Sequence, residues 1–324
     1  MAKHSDDVKP KKTTLHDVAK VAGVSIATIS RALNNKPGIS AENRQKVLAV
    51  CRELGLHPPS KKAPTNIPLM SIALSLGPHE AKSSRYLGML WPALATAIDH
   101  LKYRLVPINF EGENLPEVDV VVLLGITPCD PRISACRRHH QPYVCIGMSE
   151  GSFWVAPDDF HGSRAATSHL IGKGLTHIGF VTPTTCGGGY QLRYQGYLSV
   201  MAGHELPIRE LCTGALPVVD IAAYRHFMQL PTTQLEAYQG FVCACDETAI
   251  GVITALQDRG YEVPKQFAVV GYDGLPGLAD ELTTIEQDMT KLAERTAALI
   301  DLAIAGEPPV GALVSVTFKQ GQTS

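Results

Sequence analysis

The sequence predicts a small N-terminal all-α head built on a helix-turn-helix, followed by a larger α/β body. Three observations carry this. Over Thr14–Asn34, apolar residues fall at helical spacing in two short runs separated by a glycine. From Leu69 onward, short apolar runs alternate with helical patterns, as parallel strands joined by crossover helices require. Charge divides near the same boundary: residues 1–62 carry 12 Lys and Arg against five Asp and Glu, whereas residues 63–324 carry 17 against 26. A chain of 324 residues with net charge −2 thus hides a basic head on an acidic body, the electrostatic footprint of a nucleic-acid reader with a regulatory remainder.

In the head segment TLHDVAKVAGVSIATISRALN, Leu15, Val18, Ala19 and Ala22 share one helical face, and Thr14 with Asp17 approximates a capping box. Gly23 suits a tight turn, Val24 plugs the core, and Ser25 is a good N-cap for a second helix with Ile29, Ala32 and Leu33 inward. Any αα-hairpin can show these spacings; the basic charge favours a DNA reader. After Asn34–Gly38, Ser40 caps a third helix, Ala41–Leu54, with Val47, Val50, Cys51 and Leu54 packing and Gly55 ending it.

The first turn of a recognition helix reaches base edges in the major groove, which singles out Ile26, Ala27 and Arg31. Ile26 and Ala27 offer shape and methyl contacts only. Arg31 can donate bidentately to guanine O6 and N7, or hold a phosphate. Thr14, Ser25, Thr28, Ser30, Asn34 and Ser40 are further DNA-contact candidates or plain caps and exposed hydroxyls.

The body reads as strands Leu69–Leu76, Arg104–Asn109, Val118–Gly125, Tyr143–Gly147, Ile178–Thr182, Phe241–Cys245, Ala268–Gly271 and Val314–Phe318. Helical patterns intervene at Leu87–Leu101, Ile133–His140, His161–Lys173, Tyr190–Gly203, Thr248–Arg259 and Leu292–Ile304. These strands are too many for one simple sheet.

TLHDVAKVAGVSIATISRALN followed by ISAENRQKVLAVCRELGLHP resembles the head of the LacI/GalR family of bacterial transcription regulators, and VPKQFAVVGYDG, RYQG and CDETAIG resemble segments of its body. The resemblance implies a body of two parallel-sheet, periplasmic-binding-protein-like lobes. It also implies a repressor that binds a palindromic double-stranded DNA operator as a homodimer, under control of a small sugar or sugar-acid-like effector between the lobes. The expected organisation is a tail at 1–12, a DNA-binding domain at 13–57, a proline-rich linker at 58–68 and the effector-binding and dimerisation body at 69–324. Within the body, the N-lobe is expected near 69–154 and 284–306 and the C-lobe near 155–283 and 309–324, with crossings near Val155, Leu282–Thr284 and Gly306–Pro309.

The linker departs from the family pattern. Pro58 matches its proline, but Pro59 replaces an asparagine, Pro64 interrupts the hinge segment, and Thr65 lies near the place of a leucine wedge. Extra prolines remove helical hydrogen bonds, so minor-groove insertion by a hinge helix is expected to be weakened. The end of the sequence, TFKQGQTS, shows no leucine heptad, and a tetramer-forming tail is not expected.

Strand ends and helix starts supply the candidate effector site. Asp273 follows AVVGY, Asp246 follows FVCAC, and Arg193 lies near the start of a helix; carboxylates and a guanidinium can grip polyol hydroxyls or an anionic group. By resemblance, Asp273 and Arg193 line the pocket, and Cys245 stands where a ligand-binding asparagine or serine is common. A thiol is a poor hydrogen-bond partner, which counts against a plain inherited sugar effector. Arg85 and Tyr86, with Ser83 and Ser84, and then Asp158, Asp159 and His161, are further candidates. Asp246 could instead cap the helix Glu247–Arg259, Asp273 could be a turn residue before Gly274, and Arg193 could lie on the surface.

Enzymatic classes find little support. The sequence has no G-x-G-x-x-G after the first strand, no Walker motif and no H-E-x-x-H; Cys186–Gly189 lacks the Gly-Lys-Ser/Thr of a phosphate loop. Neither catalytic residues nor a cofactor is expected. Eight cysteines are too sparse for a disulfide scaffold, and Cys243 and Cys245 have no further ligands spaced for a metal. Met1–Lys12 has no apolar core of a signal peptide, and no run is long enough to span a membrane, so a cytoplasmic protein without a membrane partner is expected. The alternative is a cytoplasmic solute-binding or metabolite-converting protein with the same two-lobe body. Duplex binding, turnover of a bound metabolite and export separate these readings.

Overall fold

A computed structural model describes residues 15–33, 40, 43, 46–47, 49–51, 70–77, 85–99, 103–108, 112, 115, 117–183, 188–214, 218–277 and 281–324. The chain divides into two units, Met1–Pro68 and Leu69–Ser324. The proposed tail, the Asn34–Gly38 turn, Leu54, Gly55 and the whole proline-rich linker lie outside the described residues.

In the first unit, helices α1 (Leu15–Ala22) and α2 (Ile26–Leu33) are joined by the turn at Gly23. Gly23 takes a left-handed φ of 66°, which glycine adopts without steric cost, and its N–H donates to the Ala19 carbonyl at 3.0 Å. Ser25 caps α2, its Oγ accepting the Thr28 N–H at 3.1 Å. Val18, Ala22, Ile29 and Ala32 are buried together with Val47, Val50 and Cys51, while Ala19 and Val24 are half-buried against them. The side chains of Leu15 and Leu33 lie outside the described residues. So small an apolar core stabilises the head only modestly.

The second unit runs β1 (Met70–Leu76), α3 (Arg85–Asp99), β2 (Tyr103–Ile108), β3 (Val120–Leu124), α4 (Pro131–Arg138), β4 (Tyr143–Ile146) and β5 (Phe153–Pro157). It continues with α5 (Asp159–Gly172), β6 (Ile178–Thr182), α6 (Gly188–Gly203), β7 (Glu210–Cys212), α7 (Val219–Gln229), α8 (Thr232–Leu235), β8 (Gly240–Cys243) and α9 (Asp246–Asp258). The last elements are β9 (Ala268–Asp273), β10 (Thr284–Gln287), α10 (Met289–Ala305), β11 (Gly311–Val314) and β12 (Val316–Lys319).

Two six-stranded sheets result, ordered β11-β5-β4-β3-β1-β2 and β12-β10-β9-β8-β6-β7. Every adjacent pair is parallel except β10 with β12, an antiparallel edge absent from the sequence expectation. Burial on both faces explains the near-continuous apolar strands. In β3, Val120, Val122 and Leu124 face the cluster beneath α3 and α10, whereas Val121 and Leu123 face Ala135 and Cys136 of α4. In the other sheet, Phe180, Val242 and Val270 pack beneath α5 and α6, and Val181, Phe241 and Val269 pack beneath α7 and α9.

The chain passes between the two lobes at Asp158, Asp288 and Ser315, each later than expected. Val155 lies inside β5 of the N-lobe, and Thr284 opens β10 of the C-lobe. Gly306, with a φ of 72°, ends α10 within the N-lobe before β11 forms. The expected single strand Val314–Phe318 is two strands serving different sheets. Four- and five-residue strands flanked by Gly and Pro look like loops in sequence, because the neighbours that complete their hydrogen bonds are distant. For the same reason β5, β7 and β10 lie outside the sequence expectation; the helices α7 and α8 lie outside it as well.

Candidate functional site

At the carboxyl ends of the C-lobe strands, Arg193 is buried at the centre of a polar network. Its Nε donates to Asp159 Oδ1 at 2.7 Å, and Nη1 donates to the Ala244 carbonyl at 2.5 Å and to Asp273 Oδ1 at 3.1 Å. The guanidinium also lies 3.7 Å from the centroid of the Tyr272 ring, within cation–π range. The network needs five elements: the starts of α5 and α6 and the ends of β8, β9 and β10. Asp273 is held at a φ of 116°, outside the regions a non-glycine residue prefers, and also accepts from Gln287 Nε2 at 2.8 Å. Gln287 Oε1 in turn accepts the Tyr86 hydroxyl of α3 at 3.3 Å, which carries the network into the N-lobe.

Electrostatics follow from burial. Burial pushes the carboxyls of Asp159 and Asp273 upward, partly offset by the charge of Arg193. Burial alone would oppose the charge of Arg193, but Asp159 and Asp273 outweigh it and keep the guanidinium protonated. Asp246, wholly buried, is pushed up to about 6 by burial, despite accepting from Thr284 Oγ1 at 2.6 Å and from the Leu275 N–H at 2.8 Å. Three buried carboxyls around one guanidinium leave the floor of this region poor in positive charge.

Arg193, Asp273 and Tyr86 are therefore brought together, and Asp159 belongs with them. Asp246 is neither a helix cap nor exposed to the cleft: it is the first residue of α9 and ties that helix to β10. Cys245 takes the N-cap position without a side-chain cap bond; its thiol lies 3.1 Å from Thr248 Oγ1 and is pushed up to about 12, chiefly by burial. Asp158 caps α5 and pairs with His161 Nδ1 at 2.9 Å, so it stands beside the network rather than in it. Arg85 is exposed and contacts Glu247 and Asp220 of the C-lobe. Ser83, Ser84 and Cys186 lie outside the described residues.

One buried charged pair was missed. Arg132 of α4 binds Asp130 through Nη2 at 2.7 Å and donates to the carbonyls of Ser75, Leu124 and Gly125 at the ends of β1 and β3. Burial would raise the Asp130 carboxyl, but its bonds to Arg132 win and hold it below the ordinary range. Asp-Pro-Arg at a helix start reads as a cap and an exposed arginine. Only the packing of β1 beside β3 shows its acceptors.

In the head, Ile26 is exposed, Ser25 Oγ lies 2.9 Å from Thr28 Oγ1, and Ser40 Oγ accepts the Asn43 N–H at 3.3 Å. Ser25 and Ser40 thus act as caps. Ala27, Ser30 and Arg31 lie on α2, but their side chains, with Thr14 and Asn34, are outside the described residues. Among the described residues no helix is long and apolar enough to cross a membrane, and no group of three or more His, Cys, Asp or Glu gathers as a metal site.

A helix-turn-helix head joined to a two-lobed α/β body with a polar network at its strand ends defines a ligand-responsive DNA-binding regulator. Residues 14–59 match the family model of bacterial regulatory proteins of the lacI family, and residues 167–324 match the periplasmic binding protein-like domain. The sucrose operon repressor of Pediococcus pentosaceus is 28% identical, over 90% of this chain and 92% of that protein. The fold is shared with the transcriptional regulator CelR in its cellobiose complex (TM-score 0.69, 20% identity, 97% of this chain and 100% of that one). It is shared also with the lac repressor dimer bound to operator and the anti-inducer ONPF (TM-score 0.68, 20% identity, 97% and 99%). The chain thus carries a lacI-type helix-turn-helix head and a periplasmic-binding-protein-like domain, and its homologues are LacI/GalR family repressors.

Proposed function

We propose that this regulator is a cytoplasmic repressor that binds a palindromic operator as a homodimer and answers to a small polyhydroxy effector, a sugar or sugar acid, held between its lobes. The observation that carries the effector reading is the continuous hydrogen-bonded path from Tyr86 through Gln287 and Asp273 to Arg193, which joins both lobes at their strand ends. Directional donors and acceptors in that position suit ligand hydroxyls. DNA reading rests on the head, with Ile26, Ala27 and Arg31 assigned to base edges and Thr14, Ser25, Thr28, Ser30, Asn34 and Ser40 to the sugar-phosphate backbone.

A single small head offers little surface for tight specific binding, so two heads on two half-sites are the expected solution. Regulation requires the effector to bind one arrangement of the lobes better than another. The deciding experiment is selection of bound duplexes from a random DNA pool by the purified full chain, with and without a pool of sugars. An enriched palindrome whose recovery changes with a sugar supports the proposal. Absence of enrichment under both conditions overturns it.

A further inference from the structure

Arg85 and Glu247 meet across the two lobes. Arg85 is the first residue of α3, which packs on α10 in the N-lobe; Glu247 is the second residue of α9 in the C-lobe. Glu247 Oε1 accepts the backbone N–H of Arg85 at 3.1 Å. The Arg85 guanidinium also stands 3.6 Å from Asp220 at the start of α7, again in the C-lobe. One residue along from each partner, Tyr86 reaches Gln287 and Asp246 ties α9 to β10. The start of α3, which carries Tyr86 of the polar network, therefore also carries a contact between the lobes.

The C-lobe side is a rigid platform. At Gly251, α9 lies so close to α7 that an added Cβ would run into the Asp220 carbonyl, so Asp220 and Glu247 are presented by one body. On the other side, the first N–H groups of a helix have no intrahelical partners and sit at the positive end of its dipole. A carboxylate is a favoured acceptor there. For α3 it comes from the opposite lobe, and so it is supplied only while the lobes stand together. The contact is also easily broken: the Arg85 and Asp220 side chains are 52% and 27% exposed, and exposed pairs are weak and screened by salt.

We infer that Glu247 and Asp220 form an inter-lobe clasp on Arg85, which favours the present lobe arrangement and sets the separation of Tyr86 from Gln287. Glu247 is thus a positioning residue for the cleft. Its regulatory meaning rests on the effector reading above, in which a ligand enters while the clasp is released. The clasp itself can be tested without DNA or effector, so its failure is distinguishable from failure of that reading.

Cys129 in the N-lobe and Cys212 in the C-lobe are exposed and serve as native labelling sites. With Cys186 changed to serine, both are tagged with nitroxides, labelled chains are diluted with unlabelled protein, and the separation of the two tags is measured by pulsed electron resonance. Glu247→Ala and Arg85→Ala are each expected to shift the distribution away from the wild-type separation and broaden it. Distributions for both variants that superimpose on wild type overturn the clasp. Arg85→Ala keeps the backbone N–H that Glu247 accepts and removes only the Asp220 pair, so Glu247→Ala is the deciding variant; if it does not fold, Glu247→Gln combined with Arg85→Ala takes its place.

Discussion

Arg193 Nη1 donates to Asp273 Oδ1 at 3.1 Å, and Asp273 sustains a φ of 116° while doing so. A non-glycine residue persists in such a conformation only where its surroundings over-determine it. Here those surroundings are the guanidinium and the amide of Gln287, both bonded to the same carboxylate oxygen.

Removing the guanidinium should therefore be costly. Arg193→Met leaves Asp159 and Asp273 buried without their counter-charge, and breaking a buried pair in this way costs about 3–5 kcal/mol. Scanning calorimetry should show the body melting well below wild type. Adding Asp159→Asn and Asp273→Asn should recover part of the loss. A melting temperature unchanged by Arg193→Met would refute the account of a buried, mutually dependent network.

Asp246 makes the body sensitive to pH. Burial places its folded pKa at about 6, above roughly 3.9 for an unfolded aspartate. The folded state holds the proton more tightly, so this residue's contribution to stability falls as pH rises from about 4 to 6. Above pH 6 its ionised form costs on the order of 3 kcal/mol. Asp246→Asn should gain on wild type as pH rises from about 4 to 6 and hold that gain above it, as read from melting temperatures between about pH 4 and 7.5. A constant offset between the two proteins would instead assign the effect to lost hydrogen bonds.

Arg132 should prove as important as Arg193 although it was not anticipated. Arg132→Met strands the buried Asp130 carboxylate and removes the donors for the ends of β1 and β3, with an expected cost of about 3–5 kcal/mol. The double variant with Asp130→Asn should lose less than Arg132→Met alone, since no buried charge then stands unpaired. Denaturant melts of the two variants measured side by side provide the check.

On DNA, Arg31→Ala should lower operator affinity by about 1–3 kcal/mol and relax preference at one base position. Binding to a library of single-base operator variants reads both effects. Uniform weakening across the library, with a salt slope reduced by about 1, would assign Arg31 to a phosphate.

The head was legible in sequence because its determinants are local. Val18, Ala22, Ile29 and Ala32 meet through helical periodicity, and the left-handed turn between the helices needs the glycine at position 23. The alternation of strand and helix in the body was legible for the same reason, as was the participation of Arg193 and Asp273 through the motifs around them. Periodicity says nothing, however, about which distant strand lies alongside. It could not show that Asp159 and Gln287 meet at Arg193 and Asp273, that Asp246 turns toward Thr284, or that Ser315 separates strands of two sheets. Local patterning along the chain sets the class of fold, the DNA-reading head and the chemistry available at the strand ends. Which carboxylates share a guanidinium, and where the chain passes between lobes, is set by packing at a distance, because burial, charge pairing and lobe contact arise between residues far apart in the chain.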